Sequence, residues 1–303
     1  MAKVMAPQTS SRQLAWARRR ATAGRTWETF RRSKMGMAGL VVLVAAILVA
    51  VFAPFLADFS DLDETTASGP ILAPPSLEYP FGTDNFGRSV LSLVIWGSRI
   101  SLMVGLLATV VSMVIGSAIG IIAGYRGGFV DSVLMRLTDW FLVIPWLALA
   151  ITLAAILGQS LLIITLVIGL TSWAGTARLV RAQVLSVRER LYVERARGLG
   201  AKERHLIAHH VLPNVFPVIF ANTILTVALA ILSESTLSFL GLGDPSRISW
   251  GAILENAFAE GASTLGAWWW LAAPGIAIVL VTLAFTMCGY ALDEIINPRL
   301  RRR

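Results

Sequence analysis

Long apolar runs, each near the length that crosses a bilayer, constrain this chain more than any other feature. They cover Met37–Ala57, Ile100–Gly124, Leu134–Leu157, Leu161–Ala177, Asn214–Leu232 and Trp269–Leu292. About 20 apolar residues in a helix span the roughly 30 Å of hydrocarbon. In lipid every backbone N–H and C=O must find its partner within the segment, so a helix is the reading for each run. Charged residues make up only 15% of the chain and hydrophobic residues 56%, whereas a soluble globular chain carries about 25% charged residues. The expectation is an all-α polytopic membrane protein with six transmembrane helices. Pro145, Pro217 and Pro274 interrupt the third, fifth and sixth runs. Each removes a helix hydrogen bond and can kink its helix.

Charge sets the orientation. Of the 26 Lys and Arg residues, 23 fall on one side of the six-span scheme and three, Arg88, Arg99 and Arg247, on the other. Basic residues gather on the cytoplasmic side, so both termini and the 178–213 segment are placed there. The chain then divides into a cytoplasmic tail (1–36), a first helix (37–57), an extracytoplasmic connection (58–99), a transmembrane core (100–292) carrying the 178–213 loop, and a cytoplasmic tail (293–303). The Arg-rich start precedes the first apolar run and no small-residue cleavage site follows, which reads as a signal-anchor helix. Trp16, Trp27 and Phe30 among these arginines suit either a membrane-surface segment or a solvated tail. Pro70, Pro74, Pro75 and Pro80 make the 58–99 connection extended and stiff.

Several chemistries are excluded. Cys288 is the single cysteine and lies within the last run, so there is no intrachain disulfide. His205, His209 and His210 cluster, and two of them lie four apart, but no cysteine or carboxylate stands beside them in a ligand spacing; they read as part of a polar helix and no metal site is expected. No G-x-x-x-x-G-K-[ST] occurs, so this chain is not itself an ATPase, and no G-x-S-x-G marks a hydrolase. No internal repeat supports an inverted-repeat secondary transporter. No catalytic set emerges.

The segment Tyr192–Asn214 is hydrophilic and basic within a hydrophobic chain. Glu194–Leu199 reads as a short helix stopped by Gly200, Ala201–His210 as a restart, and Pro213 as the return to the membrane. A rigid helix lying across the membrane face could drop into a groove on a soluble partner. Small Ala196 and Gly200 would permit close approach, and Arg195, Arg197 and Arg204 could pair with acidic groove residues. The surface so defined comprises Glu194, Arg195, Ala196, Arg197, Gly200, Ala201, Leu212 and Pro213. In the second run Gly116, Gly120 and Gly124 form two overlapping G-x-x-x-G steps, a face for close helix packing within the chain or against a partner subunit. Intramembrane polar residues are costly and mark either packing or a path. Here they are Thr138, Asp139, Thr171, Ser172, Asn222 and Thr223, and of these Asp139, Ser172, Asn222 and Thr223 are the candidates for a translocation path. For Asp139 the favoured reading is a structural partner of Arg136 or Arg178 at the cytoplasmic interface.

The spacing Glu194, Ala196, Gly200, Leu212-Pro213 resembles the coupling loop of ABC importer permeases. Further blocks agree in order: Pro80-Phe81-Gly82-Thr83-Asp84 with Gly87-Arg88, Arg99-Ile100-Ser101-Leu102, Ala123-Gly124-Tyr125 with Gly127-Gly128, Ser172-Trp173, Ala177-Arg178-Leu179-Val180-Arg181, Glu234, Ser238-Phe239-Leu240-Gly241-Leu242-Gly243 and Trp250-Gly251. From Met35 to Arg299 the chain is similar to the transmembrane permease subunits of dipeptide/oligopeptide-type ABC importers. Arg195 departs from the usual second alanine of the loop, and His210 from the usual isoleucine. The resemblance implies a type I permease fold in the bacterial inner membrane and a pore shared with a second, homologous permease. It implies two partner ATPase subunits or domains that bind ATP and Mg, so that this chain carries no cofactor, and an extracytoplasmic binding protein. The cargo would be peptide, or nickel or haem in relatives of the same architecture. No nucleic acid is among the expected partners.

Overall fold

A computed structural model describes residues 24, 26–65 and 67–296. The basic tails, with Trp16 and Arg299 among them, lie outside the described residues. Helices follow one another with short joints: α1 (26–32), α2 (Lys34–Leu56), α3 (Val90–Arg126), α4 (Gly128–Val143), α5 (Trp146–Leu157), α6 (Leu161–Thr171), α7 (Trp173–Arg188), α8 (Leu191–Gly198) and α9 (Glu203–Leu206). After α9 a π-helical turn, Ile207–Val211, leads into α10 (Leu212–Leu237), and a second, Ser238–Leu242, follows it. Then come α11 (Trp250–Ala259) and α12 (Trp268–Ile296). The β pairing among the described residues is an isolated bridge between Thr83 and Ser89. Serine starts α2, α3, α6 and α11: the hydroxyls of Ser33, Ser89, Ser160 and Ser249 accept the N–H groups of Gly36, Ser92, Ile163 and Ala252. Each satisfies one of the donors a helix leaves orphaned at its first turn.

Five helical stretches are long and apolar enough to cross a membrane: Lys34–Leu56, Val90–Arg126, Leu161–Arg188, Glu203–Leu242 and Trp268–Ile295. The sixth segment corrects the expected straight span over Leu134–Leu157. It begins at Gly128 and breaks between α4 and α5, which meet at 88°. Pro145 has no N–H to offer the preceding turn, and the residue before it, Ile144, is extended at φ −69° and ψ 127°, as proline forces on its neighbour. Pro217 and Pro274, by contrast, lie inside the continuous helices α10 and α12. Other boundaries move too. The second span starts at Val90, ten residues before Ile100. The fourth continues through a joint at Ser172 to Arg188, so 178–188 is packed helix and not loop. Pro213 sits in the first turn of α10, inside a stretch that is already helical from Glu203.

α3 is the central helix, with α7, α10, α6 and α2 packed around it. Small residues set the closest contacts. A Cβ on Gly36 would meet Ala291 Cβ at 2.7 Å, and one on Gly39 the Ala284 carbonyl oxygen at 2.7 Å, so α2 lies directly on α12. Val41, Val44, Leu48, Val51 and Phe55 on α2 and Ile276, Val279, Leu280 and Leu283 on α12 remain exposed.

The 58–89 connection is a folded unit. The Asp84 carboxylate accepts from Arg88 Nε at 2.6 Å and from the Arg88 and Phe86 N–H groups; Arg88 also reaches Glu64 at 3.0 Å and the Leu62 carbonyl. Asp84 is fully buried and Arg88 nearly so. Thr83 donates to the Pro70 carbonyl and accepts the Ala73 N–H, and its own carbonyl accepts Trp269 Nε1 from α12. The block Pro80–Arg88 is thus a fold determinant of this connection. The same end of the molecule carries a second knot. Ser101 and Ser238 donate to the buried Glu234 carboxyl at 3.0 and 2.8 Å, and the Trp250 N–H donates to Ser101 Oγ. Asp244 accepts the Leu161 N–H, and Gln159 donates to the Gly241 carbonyl, so the α5–α6 joint is tied to the 238–247 loop. Burial pushes the Asp244 carboxyl up. The Ser246 hydroxyl and N–H, the Leu161 N–H and the Arg247 charge outweigh it and hold the group below the ordinary carboxylate value.

Candidate functional site

α8 is a short helix with an apolar inner face and a basic outer one. Val193 is fully buried, and with Leu206, Val211 and Val215 it packs against Tyr125, Val180, Val184 and Val187 of α3 and α7. Its end is a Schellman motif. The Ala201 N–H donates to the Ala196 carbonyl at 3.1 Å and the Gly200 N–H to the Arg197 carbonyl at 2.9 Å. Gly200 has φ +85°, the left-handed conformation that glycine adopts without penalty. No atom lies within 4 Å of where its Cβ would stand, so this glycine answers to backbone conformation and faces open space. Ala196 and Ala201, the residues flanking the motif, pack inward on the chain's own core. The helix runs Leu191–Gly198, earlier at both ends than the expected Glu194–Leu199, and the restart is at Glu203.

The candidate surface therefore divides. Glu194, Arg195, Gly200, Leu212 and Pro213 are exposed. Arg197 is exposed but lies over the Tyr125 ring at 5.8 Å. Leu199, which precedes Gly200, is the most protruding apolar side chain of the segment at 89% exposure. Arg188, at the end of α7, donates to the Gly124 carbonyl at 2.8 Å and so caps α3. Arg181 grips Asp131 of α4 through both guanidinium nitrogens, at 2.5 and 2.6 Å. The segment is thus welded at its inner side to α3, α7 and α10, and through Asp131 to α4.

The three glycines share one face of α3, and that face lies on α7 of the same chain. A Cβ on Gly116 would meet the Trp173 carbonyl at 2.7 Å, one on Gly120 the Ala177 carbonyl at 2.5 Å, and one on Gly124 the Arg181 carbonyl at 2.9 Å. Of the four path candidates, two come together. Ser172 and Asn222 line a cavity of about 540 Å³ bounded by α3, the α4–α5 break, α6, α7 and α10. Asn222 donates to Thr176 Oγ1 at 3.2 Å. Thr223 donates to the Ile219 carbonyl of its own helix and does not line that cavity. Asp139 is paired with Arg178 at 2.5 Å, both groups more than half exposed. It takes the structural alternative and stands apart from the cavity, because a carboxylate at lipid depth needs a cation or water.

The model of the family described as "Binding-protein-dependent transport system inner membrane component" matches residues 116–302. The chain belongs to that family. Residues 23–75 of this permease match the "N-terminal TM domain of oligopeptide transport permease C". Over 277 residues the permease is 37% identical to the dipeptide transport system permease protein DppC of Bacillus subtilis, covering 91% of this chain and 85% of that one. It is 36% identical to the oligopeptide transport system permease protein OppC of the same organism, over 90% and 88%. To the di/tripeptide transport system permease protein DppC of Pseudomonas aeruginosa it is 34% identical, over 91% of each. The permease is a multi-pass membrane protein and a component of a transport system.

Sequence reasoning missed several residues of this permease. Thr176 and Ser112 line the cavity beside Asn222, and a lone Ser or Thr inside an apolar run has no signature that separates it from packing. Arg181 and Arg188 read as loop charges but are structural ties. Asp131, three residues after the Gly127-Gly128 turn, was the available signal for the first tie: an acid in an apolar setting needs a cation nearby.

Proposed function

We propose that this chain is one of two pore-forming permease subunits of an ATP-driven ABC importer for di- and oligopeptides. In this reading the α8–α9 segment faces the cytoplasm with both termini and docks in a groove on a partner ATPase. The 58–89 and 238–267 connections face outward and receive a binding protein. Orientation follows from the basic residues concentrated at the α8 end. The peptide cargo follows from the relatives, which are named as dipeptide, di/tripeptide and oligopeptide permeases.

The observation that carries the coupling role is the two-sided construction of α8. Its inner face is packed into the α3–α7–α10 core, while its outer face carries Arg195, with exposed Leu199 just past its end and Arg204 on α9; neither arginine has an ion pair among the described residues. A push on such a helix cannot dissipate in a loose loop. It passes to α3 and α7, and through the Arg181–Asp131 pair to α4, whose far end is the break at Pro145. Closure of two ATPases on ATP would then move these helices as a body and switch the pore between inward and outward access.

Gly200→Asp tests this reading. Asp is among the side chains that tolerate the left-handed position best, so the fold should survive, while the new carboxylate would stand in the docking surface. The binding-protein-stimulated ATPase of the reconstituted complex is expected to fall to its unstimulated level, with helical content unchanged by circular dichroism. Wild-type stimulation in the variant would overturn the proposal.

A further inference from the structure

We infer that the cavity at the α4–α5 break is a substrate subsite that takes an uncharged stretch of peptide backbone, and that Ser112 presents a hydrogen-bond donor there. This rests on the peptide-importer reading above and names the part of the cargo that this chain holds.

The cavity lies near the middle of the spans: Ser112 is close to the centre of α3 and Asn222 to that of α10. Its about 540 Å³ falls within the range of small-molecule sites, about 300–1,000 Å³. The chemistry of its wall is specific. Among the described lining residues there is no Asp, Glu, Lys, Arg or His; the polar groups are Thr109, Ser112, Thr171, Ser172, Thr176, Asn222, Thr226 and Ser233. A charged terminus or a bare metal ion would enter without a counter-charge or a strong ligand, at a high desolvation cost. A neutral amide would not.

Donors and acceptors are both provided. The hydroxyls of Thr109, Thr226 and Ser233 donate back to carbonyls of their own helices, which leaves their oxygens as acceptors for an incoming N–H. The Phe141 carbonyl cannot receive the usual helix bond from four positions on, because that residue is Pro145. Broken backbone at membrane depth is tolerated where it lines a cavity. Ser112 supplies the complementary group. It is 1% exposed, it lines the cavity, and its hydroxyl has no hydrogen-bond partner among the described residues. A buried hydroxyl without a partner is costly, and a peptide carbonyl that gains access to it as the pore switches would satisfy it.

The test uses the complete transporter in proteoliposomes with its binding protein and a radiolabelled tripeptide. S112A and N222L are expected to lower the maximal uptake rate by about two- to tenfold, the loss of one hydrogen bond. The loaded-binding-protein concentration at half-maximal uptake should stay unchanged, since docking lies elsewhere. A second readout does not depend on those variants folding well: the half-buried thiol introduced by T226C should react with a small methanethiosulfonate, and turnover with peptide should slow that reaction. Wild-type uptake rates in both variants together with peptide-independent labelling of T226C would overturn the subsite while leaving the importer reading intact. No ATP-dependent tripeptide uptake by the unmodified transporter would instead overturn the importer reading, and this inference with it.

Discussion

The 58–89 connection and the α8–α9 segment are both polar excursions from an apolar bundle, and they use their charges in opposite ways. In the first, Asp84 and Arg88 are turned inward and held by one another and by backbone groups, with the half-exposed Glu64 reaching Arg88 from the surface. In the second, the inward residues are Val193, Leu206 and Val211, while Arg195, Lys202 and Arg204 stay outside. In the first, the buried Asp84–Arg88 pair holds the connection in shape, whatever meets its outer side. The second buries valine and leucine and leaves its arginines outside, as the proposed docking surface requires. The difference separates stability from function: damage to the buried pair should unfold, and damage to the surface should uncouple.

The largest stability effect is expected in the 58–89 connection. Asp84→Ala leaves the Arg88 guanidinium buried with only the half-exposed Glu64 as counter-charge. Breaking a buried pair from one side costs about 3–5 kcal/mol, so the melting temperature of the purified complex in detergent should drop by several degrees or more. A fall no larger than that of a surface variant would remove the distinction between the two regions.

Next in size is Gly120→Leu, which probes the tie between the surface and the bundle. Even a Cβ there would stand 2.5 Å from the Ala177 carbonyl, and overpacking costs about 1–3 kcal/mol. Because α7 belongs to the same chain, the melting temperature should fall in the isolated subunit as well as in the complex. A loss confined to the complex would assign the glycine face to a subunit interface instead. The smallest effect belongs to Asp139→Asn. Its pair with Arg178 is exposed on both sides, and such pairs contribute about 0–1 kcal/mol. Melting and peptide uptake should both stay close to wild type, and a severe transport defect would return Asp139 to the path.

The spans were legible because length and apolarity answer directly to the bilayer. The break in the third was not. Pro145, Pro217 and Pro274 carry the same local chemistry, yet only Pro145 ends its helix; where the freed carbonyl can be accommodated depends on neighbours distant in sequence. The Schellman turn was legible at Gly200, since the left-handed residue selects glycine. That Ala196 faces the core and Leu199 the solvent was not, because the inner face of α8 is defined by Val180, Val184 and Tyr125 from other helices. Ser172 and Asn222 were found as polar residues at lipid depth, while Thr223, chosen by the same rule, satisfies its hydroxyl on its own helix. Ser112 shows the converse: its meaning lies in a missing partner, which only three-dimensional packing discloses.

The central claim is that the outer face of α8 meets an ATPase, and Leu199 is the residue to ask. A cysteine at this protruding position (L199C), carrying a short photoactivatable cross-linker in the assembled transporter, should join this chain to the ATP-binding subunit. The yield should change on addition of ATP, and a matched probe in the 58–89 connection (L77C) should give no such product. Equal labelling of lipid or of the second permease at L199C, with no ATPase adduct in a complex that still hydrolyses ATP, would contradict the account.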